Sequence, residues 1–162
     1  MIEGVDDARP NLIVLVGLQA AGKTTFFRER FAASHVHVSK DNFPNARNRE
    51  RRQARLIEEA LRAGRDVVVD NTNPSRVVRA PIVALGRALG GRLLAYWFDA
   101  ELAACRARNG LREGKGRVPE VALRRTVALL EAPTRGEGFE RIWRVRLREG
   151  ANFEVEEYDD GG

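Results

Sequence analysis

The feature that most constrains this chain is the stretch GLQAAGKTTF, which begins at Gly17. It fits the pattern G-x-x-x-x-G-K-[ST] without a mismatch and directly follows the apolar run LIVLV at residues 12–16. Such a run is typical of a strand that is buried on both faces. A glycine-rich loop between a strand and a helix binds phosphates through its backbone N–H groups. The stretch therefore predicts a P-loop that binds a nucleoside triphosphate.

The residues of this loop have separate predicted roles in binding ATP and Mg²⁺. The two glycines let the backbone close on phosphate oxygens, and the Lys23 ammonium reaches the β- and γ-phosphates. The Thr24 hydroxyl is a candidate ligand for Mg²⁺. The residues of the loop that we predict to contact the cofactor are Gly17, Ala20, Ala21, Gly22, Lys23, Thr24 and Thr25.

Short apolar runs alternate with amphipathic segments along the chain, which predicts an α/β fold. Strands are predicted at 12–16, 36–39, 66–70, 93–98 and 141–147, and helices at 23–33, 47–63, 74–89, 101–109 and 119–130. The order favours a P-loop NTPase fold with about five mainly parallel strands, helices on both faces and an arginine-bearing lid. We expect one domain over 1–162, with an N-terminal arm at 1–10, the lid at 108–118 and an acidic C-terminal segment at 149–162.

The composition argues against a membrane protein and against a disulfide-stabilised one. No apolar stretch approaches the roughly 18 residues that a spanning helix needs. Residues 1–10 include three acids and lack the apolar core of a secretory signal. Cys105 is the single cysteine, so it cannot form an internal disulfide. We therefore expect a cytoplasmic protein that does not bind a membrane.

Charge is distributed unevenly along the chain. The formal net charge is +5, but residues 1–148 hold 28 basic and 17 acidic residues, a net charge of +11. A basic body suits a phosphate-rich partner such as nucleic acid. The alternative is a solvated arginine-rich surface without a binding role. The acidic residues that follow form either a mobile tail or an edge segment.

Three aspartates are predicted to follow strands at the same rim of the sheet as the P-loop. Asp41 follows the second strand and Asp70 ends the third. A carboxylate there can accept a proton from an acceptor hydroxyl or bind Mg²⁺, and phosphoryl transfer requires both. The alternative for each is a helix cap or a turn. Asp99 follows the fourth strand and precedes AELAA, so we predict that it caps the next helix.

The segment RARNGLREGKGRVP, at residues 106–119, combines basic residues with glycines. A hinged loop of this kind opposite a P-loop can close as a lid, exclude water and add positive charge to the transferring phosphate. Arg108 and Arg112 are four residues apart and would share one face of a helix. A solvated basic loop is the alternative.

Five segments, in their order along the chain, resemble the kinase domain of polynucleotide 5′-kinase/3′-phosphatases, within the AAA_33-type P-loop kinases. They are GLQAAGKTTF, SKDNF, VVVDNTNPS, CRARNGLREGKGRVPEVAL and EAPTRGEGF. The resemblance spans about residues 12–145. It implies an enzyme that uses ATP and Mg²⁺ to phosphorylate the 5′-hydroxyl end of DNA or RNA, in a setting of nucleic-acid repair.

The resemblance also implies roles for individual residues. Asp41 becomes the general base on the 5′-hydroxyl, which makes the catalytic residues Lys23, Asp41 and Arg112. Arg108 and Arg112 become lid arginines on the ATP phosphates, and Asp70 joins Thr24 at the metal. Pro133 and Thr134 fall where the family binds adenine. The residues implied on the acceptor side are Asp41, Arg47, Asn71, Asn73 and Arg76.

The chain departs from the family pattern around Asp41. Several family members carry arginines directly before this aspartate and three residues after it, where this chain has Lys40 and Pro44. The substitute contact to the acceptor could come from Arg47, Arg49 or Arg76. A basic stripe near Asp41 either follows a nucleic-acid backbone or is a solvated helix face; its residues are Arg47, Arg49, Arg51, Arg52 and Arg55.

Three functions stay open on the sequence alone. The first is a polynucleotide 5′-hydroxyl kinase. Its candidate partners are nucleic-acid 5′-hydroxyl ends and a phosphatase or ligase on a separate chain, because no D-x-D-x-T phosphatase motif precedes the P-loop. The second is a P-loop kinase that acts on a small-molecule hydroxyl. The third is a nucleotide-dependent switch without an acceptor, which leaves Asp41 without a role.

Overall fold

A six-stranded sheet forms the centre of the computed structural model, which describes residues 8–149 and 152–160. The strands are β1 Asn11–Val16, β2 Val36–Val38, β3 Val67–Asp70, β4 Arg92–Phe98, β5 Arg141–Arg148 and β6 Asn152–Glu157. Their order across the sheet is β2-β3-β1-β4-β5-β6; the first five are parallel and β6 is antiparallel to β5. The predicted P-loop NTPase fold is confirmed, with one strand more than expected.

Helices pack on both faces of this sheet, and residues 8–149 and 152–160 include five of them. They are α1 Lys23–Arg30, α2 Arg49–Arg62, α3 Arg76–Ala88, α4 Leu102–Gly110 and α5 Glu120–Leu129. Alternate residues of β1 point to opposite faces. Leu12 packs in one core with Ile57 of α2 and Ile82 of α3, and Ile13 packs in the other with Phe26 of α1 and Cys105 of α4. The prediction of helices on both faces is therefore confirmed.

The start of α4 corrects one prediction from the sequence. Glu101, not Asp99, occupies the cap position, and its side chain makes no capping hydrogen bond. Asp99 instead lies beside β5, where Arg146 donates to its Oδ2 at 3.4 Å and Arg144 lies 3.9 Å from the same oxygen. The predicted cap was wrong because arginines from a neighbouring strand, invisible in the local sequence, offer this carboxylate charged partners.

Strand β6 is built from the acidic segment, so the edge-segment alternative applies to residues 152–157. On one side of the β5–β6 pair, Arg148 donates to Glu154 at 2.8 Å and Arg144 donates to Glu156. On the other side, Phe153 and Val155 pack into the core that contains Phe26. Exposed ion pairs contribute less than about 1 kcal/mol each, so the apolar side accounts for most of the stability of this strand.

The ends of the chain are only partly described. Residues 1–7 of the predicted N-terminal arm lie outside the described residues. Arg9 of the arm donates two hydrogen bonds to Glu140, at 3.1 and 2.8 Å. None of the helices within residues 8–149 and 152–160 is both long enough and apolar enough to cross a membrane.

A buried ion pair on α3 links distant parts of the chain. Arg79 is fully buried and donates to both carboxylate oxygens of Glu137, at 2.8 and 3.0 Å. Its remaining nitrogen, Nη1, donates to the carbonyl oxygens of Asn73 and Glu131, at 2.8 and 3.0 Å. One guanidinium therefore ties the segment after α5 to the loop that follows β3.

Replacement of Arg79 by methionine should destabilise the protein by about 3–5 kcal/mol, because Glu137 and two carbonyl groups lose their buried partner. Urea unfolding followed by circular dichroism measures this loss. The matched control is Arg62→Met, whose exposed pair with Glu58 should contribute less than about 1 kcal/mol. Similar midpoints for the two variants would contradict this account of the Arg79 network.

Candidate active site at the carboxyl ends of the strands

The loop between β1 and α1 has the conformation that phosphate binding requires. Ala20 and Gly22 have positive φ angles, 63° and 99°, so the backbone makes a tight turn there. At Gly17 the loop passes so close to β4 that an added Cβ would lie 2.8 Å from the Cβ of Phe98. Such left-handed residues turn successive N–H groups toward a shared concave surface. The predicted P-loop is therefore present as a shaped backbone cradle at the start of α1.

Lys23 lies across this cradle and is almost completely buried. Its Nζ donates to the carbonyl oxygens of Gly17 and Leu18, the first at 2.9 Å. Burial lowers the pKa of Lys23 to about 8, an effect that the negative charge of Asp70 partly opposes. A bound polyphosphate would favour the charged form of Lys23 and raise this pKa again.

Asp70 connects the P-loop with β2 at the bottom of the site. Its Oδ2 accepts a hydrogen bond from the Thr24 hydroxyl at 2.9 Å and lies 2.8 Å from Nε2 of His37. The His37 ring also lies against Phe27 of α1, with ring centroids 4.2 Å apart. His37 was not among the predicted site residues. In the sequence, the one sign that His37 belongs to the site is that a polar residue stands between two valines of a predicted strand.

The Thr24 hydroxyl and the Asp70 carboxylate fit a Mg²⁺ ion. Mg²⁺ is held by one or two protein oxygens together with phosphate oxygens and water. Among the described residues there is no group of three or more His, Cys, Asp or Glu side chains that could hold a metal without such help. The pair could therefore hold Mg²⁺ only beside a bound nucleotide.

Asp41 projects from a short 3₁₀ turn, Lys40–Asn42, that directly follows β2. Its carboxylate is 94% exposed, and Nη2 of Arg49 lies 4.0 Å from Oδ1. Asp41 follows β2 and Asp70 ends β3, and both strands run parallel to β1 in the same sheet. The structure therefore brings Asp41, Asp70 and the P-loop to one rim of the sheet.

The two predicted lid arginines have different surroundings. Arg108 of α4 donates through Nε to the carbonyl oxygen of Ala20 at 2.6 Å, which fastens α4 to the P-loop. Arg112 is exposed in the loop after α4, where it donates to the Gly116 carbonyl at 3.3 Å. Its positive charge still lowers the pKa of Lys23, so Arg112 lies within electrostatic reach of the phosphate cradle.

The residues predicted on the acceptor side also differ in exposure. Asn73 is buried, and its amide donates to the Leu15 carbonyl at 2.7 Å, which joins the ends of β3 and β1. Arg47 is exposed just before α2. Arg76 is exposed at the first residue of α3 and lies 3.9 Å from Glu131. Arg47 and Arg76 are thus available to a ligand, whereas the side chain of Asn73 is already committed to the protein backbone.

The segment around Pro133 and Thr134 is hydrogen-bonded to the residues that follow it and to the end of the described chain. The amide of Thr134 donates to Glu137 at 2.9 Å, and Glu137 is the partner of the buried Arg79. The next amide, that of Arg135, donates to Asp160 beyond β6 at 2.7 Å. No described hydrogen bond joins this segment to the P-loop, and its role in adenine binding stays a prediction.

A family model described as an AAA domain, AAA_33, matches residues 12–133, which is most of the chain. Similar solved structures include a chain of a Pnkp1/Rnl/Hen1 RNA repair complex, at TM-score 0.65 and 23% identity, over 80% of this chain and 47% of that one. A fungal RNA kinase has a TM-score of 0.69 and 17% identity, over 89% of this chain and 40% of that one. A gluconokinase from Sinorhizobium meliloti 1021 has a TM-score of 0.62 and 20% identity, over 88% of this chain and 85% of that one. The chain spans about half the length of the RNA repair protein, and identities this low show a shared fold alone.

The lowered pKa of Lys23 predicts how nucleotide binding depends on pH. With EDTA present, raising the pH from 8 to 9 should weaken ATP binding about fivefold, because free Lys23 loses its charge while bound phosphates require it. Isothermal titration calorimetry at several pH values measures the change. The arginine in Lys23→Arg stays charged over this range, so the ATP affinity of this variant should not change between pH 8 and 9. An equally steep pH dependence in that variant would assign the effect to another group.

Proposed function

Because the chain belongs to the AAA domain family AAA_33, as its motifs predicted, we propose that it is an ATP-dependent polynucleotide kinase. It transfers the γ-phosphate of ATP to the 5′-hydroxyl end of DNA or RNA. The observation that carries the proposal is the position of Asp41. An exposed carboxylate at the same rim of the sheet as the P-loop is what a hydroxyl acceptor needs and what a nucleotide switch does not.

The donor half of the site holds the polyphosphate for in-line transfer. The N–H groups of Gly17 and Ala21 already donate to carbonyl oxygens of Thr72 and Leu18, so other backbone N–H groups of the loop would bind the β-phosphate. The Lys23 ammonium would turn from its carbonyl partners to the γ-phosphate. Thr24 and Asp70 would hold Mg²⁺, which would supply positive charge to the polyphosphate. Arg112 adds a further positive charge when the lid at 108–118 closes, while Arg108 keeps α4 against the loop.

The acceptor half activates the hydroxyl. Asp41 accepts the proton of the 5′-hydroxyl as its oxygen bonds to the γ-phosphorus, and the bond from that phosphorus to the β–γ bridging oxygen breaks. ADP leaves with the electron pair of that bond. The lid closes over the centre and excludes water, which would otherwise compete as the acceptor.

Charge around Asp41 supports a polynucleotide rather than a neutral acceptor. Arg49 lies beside the carboxylate, and Arg47 and Arg76 are exposed at the same rim. These arginines could contact acceptor phosphates in place of the family arginine whose position Pro44 occupies. Proteins of the same fold include an RNA kinase and a chain of an RNA repair complex. A role in nucleic-acid repair, with a phosphatase or ligase on a separate chain, is consistent with these likenesses.

Transfer of label from γ-labelled ATP to a 5′-hydroxyl oligonucleotide tests the proposal, with DNA and RNA in parallel. Wild-type protein with Mg²⁺ should label the 5′ end. Asp41→Asn should lower the rate about 10²- to 10⁴-fold, because it removes the general base. The exposed side chain should make this variant fold normally. Glu59→Gln, another exposed acid, should label at the wild-type rate. Bound ATP without any labelled oligonucleotide would refute the polynucleotide assignment.

A second candidate is a kinase for a small hydroxyl compound. The gluconokinase likeness covers most of both chains, and Pro44 removes an arginine that several polynucleotide kinases have. The same labelled ATP offered with sugars, sugar acids and nucleosides separates the two functions. Labelling of one such compound that exceeds labelling of oligonucleotides, and that is lost in Asp41→Asn, would favour the second candidate.

A further inference from the structure

Gln53 is a buried polar side chain for which the proposed catalytic steps give no role. It lies on the inner side of α2 together with Ile57 and Leu61, and it is only 4% exposed. A buried amide is costly unless its polar atoms have partners. Its Oε1 accepts a hydrogen bond from Nδ2 of Asn71 at 2.7 Å. The buried Gln53 amide therefore depends for its partner on Asn71, the residue that directly follows Asp70.

Asn71 uses both ends of its amide. While Nδ2 donates to Gln53, Oδ1 accepts from the backbone N–H of Lys40 at 2.9 Å. Lys40 is the first residue of the 3₁₀ turn that carries Asp41. The bond from Asn71 is thus a side-chain connection from the sheet to the backbone of the acceptor turn.

The acceptor turn, Lys40–Asn42, is held by several contacts. Lys40 pairs with Glu50 of α2, and the Asn42 side-chain amide lies 3.3 Å from Nδ1 of His37 on β2. A three-residue 3₁₀ turn has few hydrogen bonds of its own. The Asp41 amide donates to Ser39 at 3.3 Å, and Oδ1 of the Asp41 carboxylate lies 4.0 Å from Nη2 of Arg49. The direction of this carboxylate is therefore set by the backbone of the turn, and the hydrogen bond to Asn71 fixes that backbone relative to the end of β3.

We infer that Gln53 and Asn71 are positioning residues that hold Asp41 at the correct distance from the donor phosphate. Asp70 bonds the P-loop through Thr24, and the next residue bonds the acceptor turn through Lys40. The two halves of the site are thereby connected through one dipeptide at the end of β3. Gln53 locks the orientation of the Asn71 amide so that its oxygen faces Lys40. The effect on catalysis rests on the proposed kinase function, whereas the effect on the turn does not.

Gln53→Leu tests the inference, because leucine fills the space of glutamine without accepting a hydrogen bond. The rate constant for transfer should fall about 10- to 100-fold, as expected when a reacting group is slightly misplaced. ATP affinity, measured by calorimetry, should stay within about twofold of wild type because the P-loop contacts are separate. Asn71→Leu should have the same effect, and the double variant should lose no more than Asn71→Leu alone.

Ile57→Val is the matched control for a loss of packing. It removes one buried methylene from the same side of α2 and should lower the free energy of unfolding by about 0.5–1.5 kcal/mol. The hydrogen bonds between Gln53 and Asn71 and between Asn71 and Lys40 stay intact. Its transfer rate should equal that of wild type. If Ile57→Val lowers transfer as much as Gln53→Leu does, the effect is general destabilisation and the inference is wrong. A wild-type transfer rate in Gln53→Leu, or a parallel loss of ATP affinity, would also overturn it.

Amide hydrogen exchange gives a readout that needs no acceptor. In Gln53→Leu the Lys40 amide should exchange about tenfold faster than in wild type, because its Asn71 partner is no longer held. Unchanged exchange there would overturn the inference even if activity falls. If wild-type protein labels no oligonucleotide, the polynucleotide assignment fails, and the exchange result still decides whether Gln53 positions the turn.

Discussion

The position of β3 between β1 and β2 is the constraint on which the rest of the site depends. Adjacent strands lie about 4.8 Å apart, so the end of β3 is next to both the P-loop and the turn that follows β2. Asp70 reaches one neighbour through Thr24, and Asn71 reaches the other through Lys40. Donor and acceptor groups that are far apart along the chain therefore meet without any long, flexible connection between them.

The fold was largely predictable because its signals are local. A β-branched run before G-x-x-x-x-G-K-T predicts a buried strand, a loop and a helix, and the alternation of segments predicts a parallel sheet. The polar contacts that organise the site were not predictable in the same way. His37, Gln53 and Arg79 each find their partner on another element, between 18 and 58 residues away. Only the assembled strand order brings such pairs together. Asp99 failed as a predicted cap for the same reason.

Arg79 and Lys23 are both buried cations, but partners within the protein compensate their charges to different extents. Arg79 has an acidic partner and two carbonyl oxygens, so its charge is compensated within the protein. Lys23 has carbonyl oxygens and the more distant Asp70, and its lowered pKa shows that this compensation is incomplete. Arg79 therefore stabilises the fold in every state, whereas Lys23 gains most when an anion enters the loop. Incomplete compensation in the free protein therefore favours an anion beside Lys23.

The donor and acceptor halves also differ in how firmly they are held. Lys23 bonds the carbonyl oxygens of the P-loop, and Thr24 bonds Asp70 at the end of β3. The Asp41 carboxylate, in contrast, is almost fully exposed on a three-residue turn. A change in that turn or in the start of α2 alters what can approach Asp41 without disturbing the nucleotide. The same fold can therefore serve an RNA kinase and a gluconokinase. Acceptor choice in this chain should accordingly depend on the residues from Lys40 to Arg49 and on Arg76 rather than on the P-loop.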